Sequence, residues 1–277
     1  MMPKHLSWNL FLSCFRTFLK QAPRLDTPVV GPALKRLAEL EPEALTQGYT
    51  LSLNADLLEA AQGVVLPVDM MKQAIRESDY RVILKRCLCR SAYSCDHYPR
   101  DHGCLFLGNR ARGLVEKGLG REAGVEEALA HVDKGAELGL VGQALWIEVE
   151  RFLMGLEREK GTAHWMEFCF CCPCCCGVFR LGRAANGRDI KDRFRSIGWK
   201  AVINEDACIR CMACIRQCPV EAICLERERH VIHERDCLGC GICAARCPKK
   251  AIALRLQAPL RGSVREYFTD GGLKVDL

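Results

Sequence analysis

The chain has 277 residues, 49% of them hydrophobic and 27% charged, with a formal net charge of +6. That length suits one large domain or two ordinary ones with a genuine core. No apolar run reaches the length of a membrane span and no signal-peptide pattern opens the chain, so the twenty cysteines read as metal ligands in a reducing cytoplasm rather than as a secreted disulfide framework.

In chain order, residues 1–20 predict an amphipathic helix with Leu6, Leu10, Cys14 and Phe18 at helical spacing. Residues 28–44, PVVGPALKRLAELEPEA, read as a turn and a short helix, and the stretch 1–54 forms an N-terminal helical segment. Residues 55–198 are expected to form a cysteine-rich, mostly helical metal-binding domain. Within it a helix near Val68 to Ser78 delivers the chain to the first cysteine knot, RCLCRSAYSCDHYPRDHGC. This knot holds Cys87, Cys89, Cys95 and Cys104, enough thiols for one iron–sulfur cube or one zinc. In an extended segment Cys87 and Cys89 share a face and act as one jaw. A structural zinc, or a histidine ligand from His97, His102 or His164, stays open as an alternative.

Between the knots GLGREA (118–123) matches a dinucleotide-loop pattern, but the residues before it do not read as a strand. Residues 125–142 predict one or two short helices across a glycine-bearing bend. The second knot, FCFCCPCCCG, carries Cys169, Cys171, Cys172, Cys174, Cys175 and Cys176. Neighbouring cysteines cannot bridge without strain, so soft-metal ligation is the chemistry left. Pro173 interrupts any helix. Local extension would send Cys169, Cys171 and Cys175 to one side and Cys172, Cys174 and Cys176 to the other. Trp165, Phe168, Phe170 and Phe179 would shield a centre there. Residues 182–198 read as a polar linker, and Cys14 and Cys224 as buried apolar residues.

Residues 203–219, INEDACIRCMACIRQCP, recur 29 residues later as IHERDCLGCGICAARCP. Each copy carries C-x2-C-x2-C-x3-C-P, the bacterial ferredoxin spacing. The stretch 199–256 closely resembles two-cluster bacterial ferredoxins. The resemblance implies one [4Fe-4S] cluster on Cys208, Cys211, Cys214 and Cys247 and a second on Cys237, Cys240, Cys243 and Cys218. It also implies a small (βαβ)2 fold with strands at AVIN, CLER, HVIH and ALRL. The first copy departs from the pattern, with Arg210 and Met212 where the second has Gly239 and Gly241.

The knots and the repeat together resemble a group of iron–sulfur proteins of anaerobic microbes that share CxCR and CxCCxCCCG elements and a dicluster module. That likeness covers most of residues 50–256 and implies electron transfer. The expected fold class is therefore α+β: a mainly helical cysteine-rich domain, a ferredoxin-like dicluster domain at 199–256, and a tail at 257–277. One or two further iron–sulfur clusters are expected on the ten knot cysteines. Two clusters at −2 each would bring the formal +6 to +2, so the basicity is mostly counter-charge and nucleic acid is discounted. The expected partners are redox proteins, and the expected role is an electron carrier. The alternative is an anaerobic redox enzyme whose active metal centre lies in the N-terminal knots.

Overall fold

The computed structural model describes residues 8–38, 40–41, 46–59, 67–147, 154, 166–185 and 187–257. The first helix, α1 (Trp8–Gln21), buries Phe11, Phe15 and Leu19. The helix was expected; its inner face is not the expected one. Leu10 is 52% exposed and Cys14 is exposed. The segment is apolar on most of its circumference, so two adjacent stripes compete, and the aromatic one buries more area. Leu6 lies outside the described residues. Helix α2 (Gly31–Leu37) and helix α3 (Pro67–Glu77) fall where the sequence placed them.

The cysteine-rich region departs from the mainly helical expectation, for it is organised by a seven-stranded sheet. In chain order come β1 (Gln47–Leu51), β2 (Leu58–Glu59), β3 (Arg81–Leu84), α4 (Leu88–Ala92), β4 (Leu105–Leu107), α5 (Arg112–Glu116), β5 (Gly120–Glu122), α6 (Val125–Glu137), β6 (Val141–Trp146), β7 (Met166–Cys171), α7 (Gly177–Ala184), α8 (Arg188–Lys191) and β8 (Phe194–Ser196). The sheet order is β5-β3-β4-β7-β6-β1-β8. Its neighbours run antiparallel except β1 and β8. Strands β6 and β7 are buried at every position. A strand covered on both faces shows no polar alternation, so its short apolar run is not separable by period from a helix segment. The linker expected at 182–198 is instead the end of α7, α8 and β8, whose Phe194–Ser196 pair with β1. GLGREA follows α5 and contains β5 itself, so it is no turn between a strand and a helix, as the dinucleotide pattern needs.

The C-terminal repeat folds as two strand–helix–strand copies. The first is β9 (Trp199–Ile203), α9 (Ala213–Gln217) and β10 (Ile223–Glu226). The second is β11 (Arg229–Ile232), α10 (Ile242–Ala245) and β12 (Ile252–Leu256). Strands β9 and β12 pair antiparallel, as do β10 and β11. The N-terminal part does not stop at its edge: β2 adds a parallel strand to β12, with Leu58 opposite Leu254. Side chains fasten the same seam. Arg183 on α7 donates to the Pro219 carbonyl at 3.1 Å, Arg235 pairs with Asp192 at 2.6 Å, and Arg246 donates to the Tyr98 hydroxyl at 2.8 Å.

Candidate metal centre

Strand β7 builds the first site. Its period of two sets Cys169 and Cys171 on one face. Leu105 on β4 lies opposite Phe168, and carrying that register one residue further sets Cys104 opposite Cys169. Their sulfurs are 3.0 Å apart. Beyond Cys171 the chain turns at Pro173, and Cys176, the residue before α7, folds back to Cys171 at 3.1 Å. The Gly177 N–H donates to the Cys89 sulfur at 3.2 Å, and Cys87 stands at the N-cap position, immediately before α4. Cys87, Cys89, Cys104, Cys169, Cys171, Cys172 and Cys176 thereby line one cavity with Glu167 and Arg90.

The three remaining knot cysteines gather with Cys172 in a second group. The sulfurs of Cys95, Cys172, Cys174 and Cys175 all lie within 4.8 Å of one another. The first knot is therefore divided: Cys87, Cys89 and Cys104 go to the chamber and Cys95 to the quartet. The expected alternation also ends at Pro173. Cys175 joins Cys172 and Cys174 rather than Cys169, and Cys176 joins Cys171. The turn reverses the chain, so a period-two rule that held through Cys171 fails beyond it. Phe168, Phe170 and Phe179 are buried, and Phe170 lines the chamber; Trp165 and His164 lie outside the described residues.

Arg90 was quoted in the CxCR element without a role, and it is fully buried. Its Nε donates to the Pro99 carbonyl at 2.8 Å and its Nη1 to the Phe170 carbonyl at 2.6 Å, while Nη2 reaches the His102 carbonyl. Burial works against the guanidinium charge, but the nearby thiolates of Cys87, Cys172, Cys104 and Cys171 hold its pKa above the ordinary value. Burial pushes the Cys172 thiol up to about 11. The hydrogen bond shared with Cys104 holds the proton on Cys169 and raises it well above its usual range, whereas contacts with Cys169 and Cys176 lower Cys171. Glu167 escaped the sequence reading too. It is 2% exposed, with the Cys169 sulfur 2.9 Å from its Oε1. The available signal was a lone acid inside an apolar strand.

His102 is no ligand of either group. Its ring stacks on His131 at 3.9 Å and meets the edge of Phe170 at 4.9 Å. Burial lowers its pKa to about 3, keeping the imidazole neutral. Cys224, expected to be buried, is half-buried on the β10–β11 hairpin, 3.2 Å from His233 Nε2.

In the C-terminal module Cys208, Cys211, Cys214 and Cys247 line one cavity. The loop around it turns through left-handed residues, Arg210 at φ 54° and Met212 at φ 61°, with Gly239 and Gly241 at the matching positions of the second copy. The first loop thus carries side chains in the glycine-type conformation. Cys237, Cys240, Cys243 and Cys218 gather on the other side. Burial pushes Cys240 up to about 12, with Cys237 and Cys218 adding to it. Backbone N–H groups of Ala222 and Ala251 donate to Cys218 and Cys247, each at 3.2 Å.

Residues 201–254 match the family model described as a 4Fe-4S dicluster domain. The chain carries a 4Fe-4S dicluster domain. Comparison with curated proteins and with solved structures returns no match. The dicluster domain's two cysteine groups differ in exposure: Cys211 is exposed, while Cys237 and Cys243 are buried. All twenty cysteines are free thiols. Among the described residues no helix is long and apolar enough to cross a membrane.

Proposed function

We propose that the protein is an electron carrier that relays low-potential electrons between a redox partner and a metal centre in its N-terminal sheet. The carrying observation is the order of cysteine groups from surface to interior. The group with exposed Cys211 lies beside exposed Ile209. The group with buried Cys237 and Cys243 includes Cys218, and the next residue, Pro219, takes the Arg183 hydrogen bonds from α7. The other end of α7 starts at Gly177, bonded to Cys89 of the thiol chamber. Eight helical residues span about 12 Å.

The donor sets fit iron–sulfur clusters: soft thiols around a cavity, with backbone N–H groups turned to ligand sulfurs. Cys208, Cys211, Cys214 and Cys247 would hold one [4Fe-4S] cluster, and Cys237, Cys240, Cys243 and Cys218 the other. Cys87, Cys89, Cys104, Cys169, Cys171 and Cys176 supply ligands for a further centre. Such clusters supply reversible one-electron storage at low potential. The chain's part is to hold the thiolates, exclude water with Phe168, Phe170 and Phe179, and offset thiolate charge with Arg90. Arg210, Lys249 and Lys250 around the outer group suit an acidic redox partner in a reducing cytoplasm.

Anaerobic purification with iron and sulfide counting tests this reading. Fewer than about eight irons per chain would sink the dicluster assignment, since two cubes need that many. A redox titration should place these clusters toward roughly −400 mV.

A second reading, a redox enzyme, is favoured by one feature. A cavity of about 60 Å³ between α1 and the thiols is lined by Phe15, Phe18 and Leu145 together with Cys89, Cys169, Cys171 and Cys176. It would give an apolar molecule access to the chamber, where Glu167 offers a carboxylate. Spectra of the chamber centre that stay unchanged with added small ligands would argue against it.

A further inference from the structure

We infer that Cys95, Cys172, Cys174 and Cys175 form a mononuclear tetrathiolate site, built for one zinc or iron ion and closed to any other ligand. This goes beyond the electron-carrier reading and departs from the expectation of one or two further clusters on the ten knot cysteines.

Size decides it. Four sulfurs at about 2.3 Å from one ion stand about 3.8 Å apart in a tetrahedron. The Cys174 sulfur is 3.8 Å from Cys95, 3.6 Å from Cys172 and 3.6 Å from Cys175. No pair in the quartet exceeds 4.8 Å. A cube interposes four irons and four sulfides and needs its thiolates farther apart. The dicluster domain supplies the comparison: among the described residues no three of its eight motif cysteines are gathered within 4.8 Å, yet four of them surround a common cavity.

Local structure agrees. Three of the thiols come from the turn that Pro173 imposes after β7. The fourth comes from 79 positions back in sequence, in the loop after α4. Arg180 fastens the turn from outside, donating to the Cys174 carbonyl at 3.0 Å while its guanidinium lies 3.9 Å over the Tyr93 ring. Four protein thiolates leave no open position, the mark of a structural site. Its ion would pin the β7 turn to the α4 loop, and those two segments carry Cys171, Cys176, Cys87 and Cys89 of the neighbouring chamber. Zinc and ferrous iron share this chemistry.

The test compares the full-length protein, purified anaerobically, with Cys95→Ser and with Cys95→Ser/Cys174→Ser. Metal and acid-labile sulfide are counted in each. The variants should lose one equivalent of zinc or of iron, the lost metal identifying the ion, with sulfide unchanged because a mononuclear site contains none. Loss of about four irons and four sulfides would overturn the inference in favour of a cube, and unchanged metal would overturn it altogether. Should the variants fail to fold, X-ray absorption on the wild-type protein decides. At the zinc edge, or by Mössbauer spectroscopy for iron, it should reveal one ion with four sulfur neighbours and no metal neighbour; absence of such an ion overturns the inference. Either result stands apart from the dicluster count, which rests on the module's own eight irons.

Discussion

At the residue scale, Arg90 joins the two halves of the thiol site. Its fork satisfies carbonyls of Pro99, His102 and Phe170, and its charge sits among thiolates with no water to screen it. Removing one partner of such an arrangement strands several buried acceptors. Arg90→Met should therefore cost about 3–5 kcal/mol in urea unfolding and lower the iron content of the N-terminal half. Arg90→Lys should recover little, because an ammonium cannot reproduce the planar fork. An unchanged denaturation midpoint for Arg90→Met would remove the stitching role. The repeat copies give a second contrast. Gly239 has φ 63°, and a Cβ there would run into the Trp199 carbonyl, whereas Arg210 already holds the matching left-handed position with φ 54°. Gly239→Ala should cost more than about 2 kcal/mol. Arg210→Gly should stay within about 1 kcal/mol of the parent, since relieved strain and added chain entropy oppose each other. Equal losses in the two variants would show that the loops are not held to the same geometry.

At the scale of elements, legibility in the sequence followed the type of signal. The ferredoxin resemblance that the repeat carries implied the strands of the dicluster module to within a residue or two. Helix α3 was readable from its own amphipathic pattern. The sheet was not, because β6 and β7 are covered on both faces and because FCFC reads as a ligand run before it reads as a strand. The partition of the knots was unreadable for another reason: it depends on β4–β7 register and on a turn, neither of which has a local signature. Helix α6 exposes the packing that results. At Gly135 a Cβ would come within 2.5 Å of the Phe170 ring and 3.3 Å of His102 Nε2, so the helix rests directly on the central strand. Gly135→Ala should lose about 1–3 kcal/mol through overpacking. Gly124→Ala, at the start of the same helix with φ −71° and open space around it, should be neutral or slightly stabilising. Thermal melts of the pair separate close packing from a general intolerance of side chains in α6. Matching melting temperatures would mean that the strand yields.

For the whole molecule, the thiol sites tie together segments that the chain alone would hold weakly. Cys104 with Cys169, and Cys95 with Cys174, join residues 65 and 79 positions apart. A domain of ordinary stability has about 5–15 kcal/mol in hand, and a structural thiolate site binds its metal with about 10–16 kcal/mol. Metal loss should therefore unfold the region it staples rather than loosen it. The dicluster module has its own ligand repeat and its own strand pairs, so it should survive that loss. Replacing Cys171, Cys172 and Cys174 together by serine tests both statements. Cys171 lines the chamber, Cys174 belongs to the quartet and Cys172 borders both, so both N-terminal sites lose ligands with little change in side-chain volume. The variant should bind less metal, and limited proteolysis should cut within residues 50–190 while a fragment covering 199–256 persists. That fragment should retain about eight irons, the content of two cubes. Full metal content with an intact N-terminal half would show that these thiols do not hold the fold together. Loss of the C-terminal fragment along with the rest would show that the β2–β12 strand pair makes the two parts a single cooperative unit.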